Sequence, residues 1–200
     1  DYLTLDRKNP ALKIKTDTGN SNSCATNCNV YSLGTYIARR GGYAGIHGTY
    51  FCPTEYSTCA GQTNFYFYPV YNSFTNTMIN GERIKFTMEP IVAFDTANKP
   101  YWFRRTDQFT SEQDFYNDFK TTSEAAGGTG VLRSAISNGP GLVENKVNIV
   151  GEYTLDEKQA TVKSYRGALA WKGDTIYLLV VRGATVTDSA AVMTAMGMDY

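Results

Sequence analysis

Histidine, an excess of charge of either sign and long apolar runs are all scarce in this sequence. Lysine plus arginine number 19 and aspartate plus glutamate number 19, so no single-sign field draws the chain toward nucleic acid or anionic lipid. Nucleic acid is therefore set aside as a partner. The longest apolar run, residues 176–181 (IYLLVV), falls far short of the roughly 20 residues that a membrane-crossing helix needs, and the expectation is a soluble chain without membrane insertion. One histidine, His47, and no nucleophile-elbow motif leave no Ser/His/Asp order to assemble, which argues against serine hydrolase chemistry. Neither an internal repeat nor a low-complexity tract is present. Asp1 is preceded by no methionine and no apolar leader, so the sequence reads as a processed product or a trimmed piece of one.

What is abundant points elsewhere. Fifteen tyrosines and ten phenylalanines, with Asn, Thr, Ser and Gly filling the connections, match the composition of many exported β-rich proteins. At 200 residues the chain is long enough to bury one sizeable core, and a single domain over 1–200 is the default. The four cysteines are clustered as Cys24-x3-Cys28 and Cys52-x6-Cys59. A zinc site wants paired knuckles with ligands two to four apart, and only the first pair has that spacing. Two short-range disulfides, Cys24 with Cys28 and Cys52 with Cys59, fit better, each closing a small loop worth about 2 kcal/mol. Four cysteines leave crossed pairings open. Any of these pairings implies an oxidising compartment, hence an extracellular or cell-surface location. No cofactor is indicated.

Along the chain, residues 11–16 (ALKIKT) alternate like a half-buried strand. Leu33, Tyr36 and Ile37 recur at helical spacing, followed by Arg39, Arg40 and a Gly41-Gly42 stop. Residues 43–51 (YAGIHGTYF) read as a strand carrying two internal glycines, a feature that suits close approach of backbone or ligand. Residues 65–71, 83–88, 91–95 and 101–105 are β-like, the last two joined by the turn-prone 96–100, and they suggest an antiparallel meander. Ser111 and Asp114 resemble a capping box opening a helix to about Thr122, with Phe115 and Phe119 on one face. Residues 124–130 (EAAGGTG) are the most flexible-looking stretch and read as a linker loop, because a phosphate-cradling loop would need a preceding strand and a GK[ST] ending. Residues 162–171 and 175–182 form the clearest hairpin, turning at 172–174. A helix capped by Thr187 then runs through Met196 to Gly197. The expected architecture is α+β, a mostly antiparallel or mixed sheet with a few flanking helices.

Two blocks are more specific than these patterns. Residues 44–51 (AGIHGTYF), and Ser164-Tyr165-Arg166-Gly167-Ala168-Leu169-Ala170 with the hairpin and helix that follow, resemble the phosphodiester glycosidase family, whose best-known member uncovers mannose 6-phosphate. Residues 135–143 (AISNGPGLV) resemble the family segment that precedes that arginine. The similarity runs over residues 11–200. It implies an exported hydrolase acting on a carbohydrate or sugar-phosphate substrate, with no cofactor. The sequence departs from the family pattern twice. His47 stands where asparagine is more frequent; both residue types donate a hydrogen bond, but histidine also titrates near neutral pH. The family's L-D-G-G-G-S strand and loop, whose aspartate and glycines line the sugar and phosphate site, would follow the last helix, and Asp199 falls too early to stand in for it.

A sugar 1-phosphodiester has a good anionic leaving group, so stabilising the anion and the oxocarbenium-like centre matters more than a strong general acid. Arg166 offers a planar fork for phosphate; the plain alternative is a structural ion pair. His47 is a candidate for sugar binding or proton transfer, with Gly48 and Tyr50 beside it as substrate-binding candidates. Asp95 and Glu144 are the carboxylates to consider as nucleophile or base, although each also suits an ordinary turn. A rival reading is a non-catalytic extracellular module that binds glycans or associates with itself through its tyrosine-rich surface and sheet edges.

Overall fold

The computed structural model describes residues 1–59 and 61–200, and the chain folds as an α+β protein whose sheets are antiparallel among the described residues. It divides into two compact units, an inner one of Lys13–Asn138 and a terminal one that joins Asp1–Leu12 to Gly139–Tyr200. The first strand, β1 (Tyr2–Asp6), belongs to the terminal unit.

The inner unit begins with the short helix α1 (Leu33–Arg39), whose N-cap Ser32 accepts a hydrogen bond from the Thr35 amide. Its sheet contains β2 (Val70–Asn72), β3 (Thr77–Ile79), β4 (Ile91–Asp95), β5 (Pro100–Phe103) and β6 (Leu132–Ser137), in the order β3-β2-β6-β4-β5. Helix α2 (Glu112–Ala125) is opened by the Ser111 hydroxyl, which accepts from the Asp114 amide at 3.1 Å. Glu112 and Asp114 in its first turn complement the helix dipole. Phe115 and Phe119, one turn apart, are fully buried and enter a core with Phe103 and Phe109. The ring centroids of Phe103, Phe109 and Phe115 lie 5.3–5.6 Å apart in edge-to-face contacts, a geometry that adds about 1 kcal/mol per pair beyond burial.

The terminal unit continues with β7 (Val143–Glu144), β8 (Val147–Asn148), α3 (Glu157–Thr161), β9 (Ser164–Lys172), β10 (Thr175–Ala184) and α4 (Val186–Ala195). β9 and β10 form the expected hairpin, with Lys172 opposite Thr175 and Gly173 at φ +57° in the turn. β1 pairs along the other edge of β10, Tyr2 opposite Leu179 and Leu5 opposite Ile176. Val143, Ala170, Leu179, Met193 and Met198 form the core beneath this sheet.

Both short-range disulfides are present, with Cα separations of 5.7 Å for Cys24–Cys28 and 5.4 Å for Cys52–Cys59. No helix among the described residues is long and apolar enough to cross a membrane.

Several local expectations are corrected. Residues 11–16 form no strand: the Ile14 amide donates to the Asn98 side chain and the Thr16 amide to the Ser73 hydroxyl, and a single backbone bond, from the Ser73 amide to the Thr16 carbonyl, stands where a ladder was expected. Residues 43–51 are not a strand either, and only Phe51 bridges to Tyr66. Residues 83–88 lie largely in a 3₁₀ turn, Gly81–Phe86, entered through Asn80 in the left-handed region at φ +55°. Of its side chains Ile84 is buried, whereas Phe86 is exposed. The cap of α4 is Thr185, two residues before the expected Thr187. It forms a reciprocal capping box with Asp188.

Candidate functional site

His47, Gly48, Tyr50 and Asp95 belong to the inner unit, Glu144 and Arg166 to the terminal one. Each group is built by its own surroundings.

The segment carrying His47 is fixed at several points without being a strand. A Cβ on Gly45 would lie 3.2 Å from Leu33 and Ile37 atoms, so α1 packs directly against this glycine. At Gly48 a Cβ would fall 2.4 Å from Ile136 Cδ1, which leaves no room for a side chain unless Ile136 moves. The Asn138 carboxamide clasps the backbone from both sides: its Nδ2 donates to the Gly48 carbonyl at 3.2 Å, and its Oδ1 accepts from the Tyr50 amide at 3.3 Å. The Phe67 amide then donates to the Tyr50 carbonyl, and the Cys52 amide to the Phe65 carbonyl. Cys52–Cys59 closes this short ladder. His47 stands exposed between these anchors. Tyr50, 40% exposed, meets Tyr68 edge to face at 6.4 Å.

Asp95 is in a different setting, fully buried at the end of β4. Its Oδ1 accepts from the Ala97 and Lys99 amides, and its Oδ2 from the Tyr101 hydroxyl and the Thr129 amide. The Ser123 hydroxyl donates to the Tyr101 oxygen and accepts from the Gly130 amide. This carboxylate therefore organises the β4–β5 turn and gathers residues 128–130 around itself. The stretch expected to be a flexible linker is packed against it: a Cβ on Gly128 would sit 1.9 Å from the Tyr101 hydroxyl and 2.6 Å from Asp95 Oδ2.

In the terminal unit, the Arg166 guanidinium is turned to backbone carbonyls. Nη2 donates to the Lys158 and Val162 oxygens at 2.9 and 2.7 Å and Nε to the Ala184 oxygen at 3.3 Å, so the residue ties the C-terminal end of α3 to the open end of the β9–β10 hairpin. Glu144 is half-buried at the end of β7, before a tight turn through Asn145 and Lys146, both at positive φ.

Two features went unremarked in the sequence. Asn138 was visible only as the residue ahead of Gly139-Pro140, and nothing local showed that its side chain reaches back ninety residues to Gly48. Asp17 accepts from Arg39 Nη2 at 2.6 Å and Arg40 Nε at 2.8 Å. Burial acts to raise its carboxyl, but the hydrogen bonds and charges of Arg40 and Arg39 outweigh that and hold it below the ordinary carboxylate value.

Among the described residues no cluster of three or more His, Cys, Asp or Glu side chains could hold a metal ion. No family model matches the chain, and no curated protein matches it.

Proposed function

We propose that this is an extracellular carbohydrate-active domain of the phosphodiester glycosidase type, hydrolysing a sugar 1-phosphodiester, with residues 44–51 as its substrate-facing element. The observation that supports this reading is the Asn138 clasp. Two of the segments that carry the family resemblance, 44–51 and 135–143, are joined by a pair of hydrogen bonds from one carboxamide to the backbone on either side of Thr49. That clasp presents His47 and Tyr50 from a fixed backbone, as positioning for catalysis requires. In this reading His47 transfers a proton or hydrogen-bonds the sugar, Tyr50 packs against the sugar ring, and Gly48 lets the backbone lie close to Ile136. Asp95, with both carboxylate oxygens engaged, and Arg166, with Nε and Nη2 on backbone carbonyls, act as supports for turn and hairpin. The two disulfides fit an oxidising, extracellular setting.

A second reading, glycan binding without turnover, is favoured by that same engagement of Asp95 and Arg166. A panel of p-nitrophenyl glycosides and phosphodiester-linked sugars separates the two, assayed with this chain and with the full product of its gene, each beside His47→Ala and His47→Asn. Turnover that His47→Ala abolishes supports the hydrolase. If none of the panel turns over with any form while sugars still bind, the binding module is the correct account.

A further inference from the structure

The inner unit carries an open groove of about 830 Å³ that shares no residue with the 44–51 segment. Its size falls in the range of small-molecule sites, about 300–1,000 Å³. Its apolar surface comes from Tyr116, Val131 and Leu132, which are partly or largely exposed, above Tyr71, Met78 and Phe119, which are buried in the aromatic core. Carboxamides line the walls: Gln113 and Asn117 on one turn of α2, and Asn22 and Asn76 from two loops. All four side chains are exposed. Gln113 Nε2 donates to Asn117 Oδ1 at 3.0 Å, which orients both amides and leaves Gln113 Oε1 and Asn117 Nδ2 as an acceptor and donor side by side.

Charge in this lining is sparse and balanced, one carboxylate and one cation. Glu112 accepts the Tyr116 hydroxyl through Oε1 at 2.5 Å, so its carboxylate is already engaged, and Lys120 is the one cation. An anionic polymer finds too little positive charge here, and a purely apolar ligand would strand the amides. The ligand chemistry that suits an apolar floor beneath paired amide donors and acceptors is a neutral polyhydroxylated ring, whose C–H face packs while its hydroxyls bridge the carboxamides. The openness of the groove suits a chain of such rings rather than a single one.

We infer that this groove is a binding site for a neutral oligosaccharide, separate from the 44–51 segment. The inference holds for either function above, because turnover and groove occupancy are read by different measurements.

The test titrates the chain with chitotetraose, cellotetraose, maltotetraose and mannotetraose, followed by calorimetry and by amide chemical shifts. At least one should bind saturably, shifting Gln113, Asn117 and Val131, and the double variant Gln113→Ala/Asn117→Ala should bind about tenfold more weakly or worse. Lys163→Ala, exposed in the terminal unit and outside the groove lining, should bind as the parent does. Should the helix variant lose its cooperative melt, Asn22→Ala on the opposite wall is held to the same loss. Saturation by none of the four sugars overturns the proposal, as does undiminished binding by a folded variant or binding only of uronate oligomers.

Discussion

Two glycine-bearing segments of the inner unit look alike in sequence and are used in opposite ways. In residues 44–48 the glycines meet α1 and Ile136, while His47 between them remains exposed. In residues 127–130 one glycine, Gly128, admits a buried network, lying against the Tyr101 hydroxyl, the Asp95 carboxylate and the Ser123 hydroxyl. A glycine at a close approach thus reports crowding, and what does the crowding decides its meaning. Around Gly128 it is polar atoms already hydrogen-bonded to one another; around Gly45 and Gly48 it is aliphatic side chains that can yield.

Substitutions should separate the two segments in a graded way. Gly128→Ala should destabilise most, by about 3 kcal/mol in denaturant unfolding, since a methyl there displaces three engaged polar atoms. Gly48→Ala, opposed by one Ile136 terminal carbon, should lose clearly less; an equal loss would erase the distinction. Removing the clasp with Asn138→Ala should cost about 2 kcal/mol and speed hydrogen exchange at Tyr50, whose amide loses its acceptor.

Glu89 sharpens the contrast with Asp95, because its Oε2 is buried with no hydrogen-bond partner among the described residues. Burial raises its carboxyl above the ordinary value, so the folded state favours the protonated form. That stability is complete below the ordinary carboxylate range and is lost as pH rises through the raised value. Glu89→Gln should therefore melt higher than the parent at pH 8 and alike near pH 4, as scanning calorimetry would record. His47→Ala should have the smallest effect, within about 0.5 kcal/mol of the parent, because the imidazole is exposed.

Much of the terminal unit was legible because its signals are local. The alternation of residues 175–182 and the Gly173 turn define the hairpin, and only the cap of α4 was misplaced by two residues, since Thr185 and Thr187 are both competent and Asp188 selects the former. The inner unit was less legible. Its central strand β6 has Ser134 and Ser137 at buried positions, which breaks the apolar alternation that marks a strand. Residues 11–16 and 43–51 carry strand-like patterns, yet side chains of Asn98, Ser73 and Asn138 supply much of their backbone bonding, beside isolated backbone bonds such as those from the Ser73 and Phe67 amides. Such pairings leave no periodicity to read. For the candidate site, the sequence singled out His47 and Tyr50 but could not show that Asp95 is enclosed by four donors or that Arg166 faces carbonyls.

The pairing of β1 with β10 brings residues 2–6 against residues 175–179, so β1 must wait for a strand that is made only after the whole inner unit. Lys13–Asn138 is continuous in the chain and can gather its own core meanwhile, whereas the sheet of the terminal unit closes only after that stretch has been made. Until then the long edge of β10 has no cover on that side. A chain clipped ahead of Leu12 would carry this open edge permanently, and loss of those few residues should promote strand-mediated aggregation.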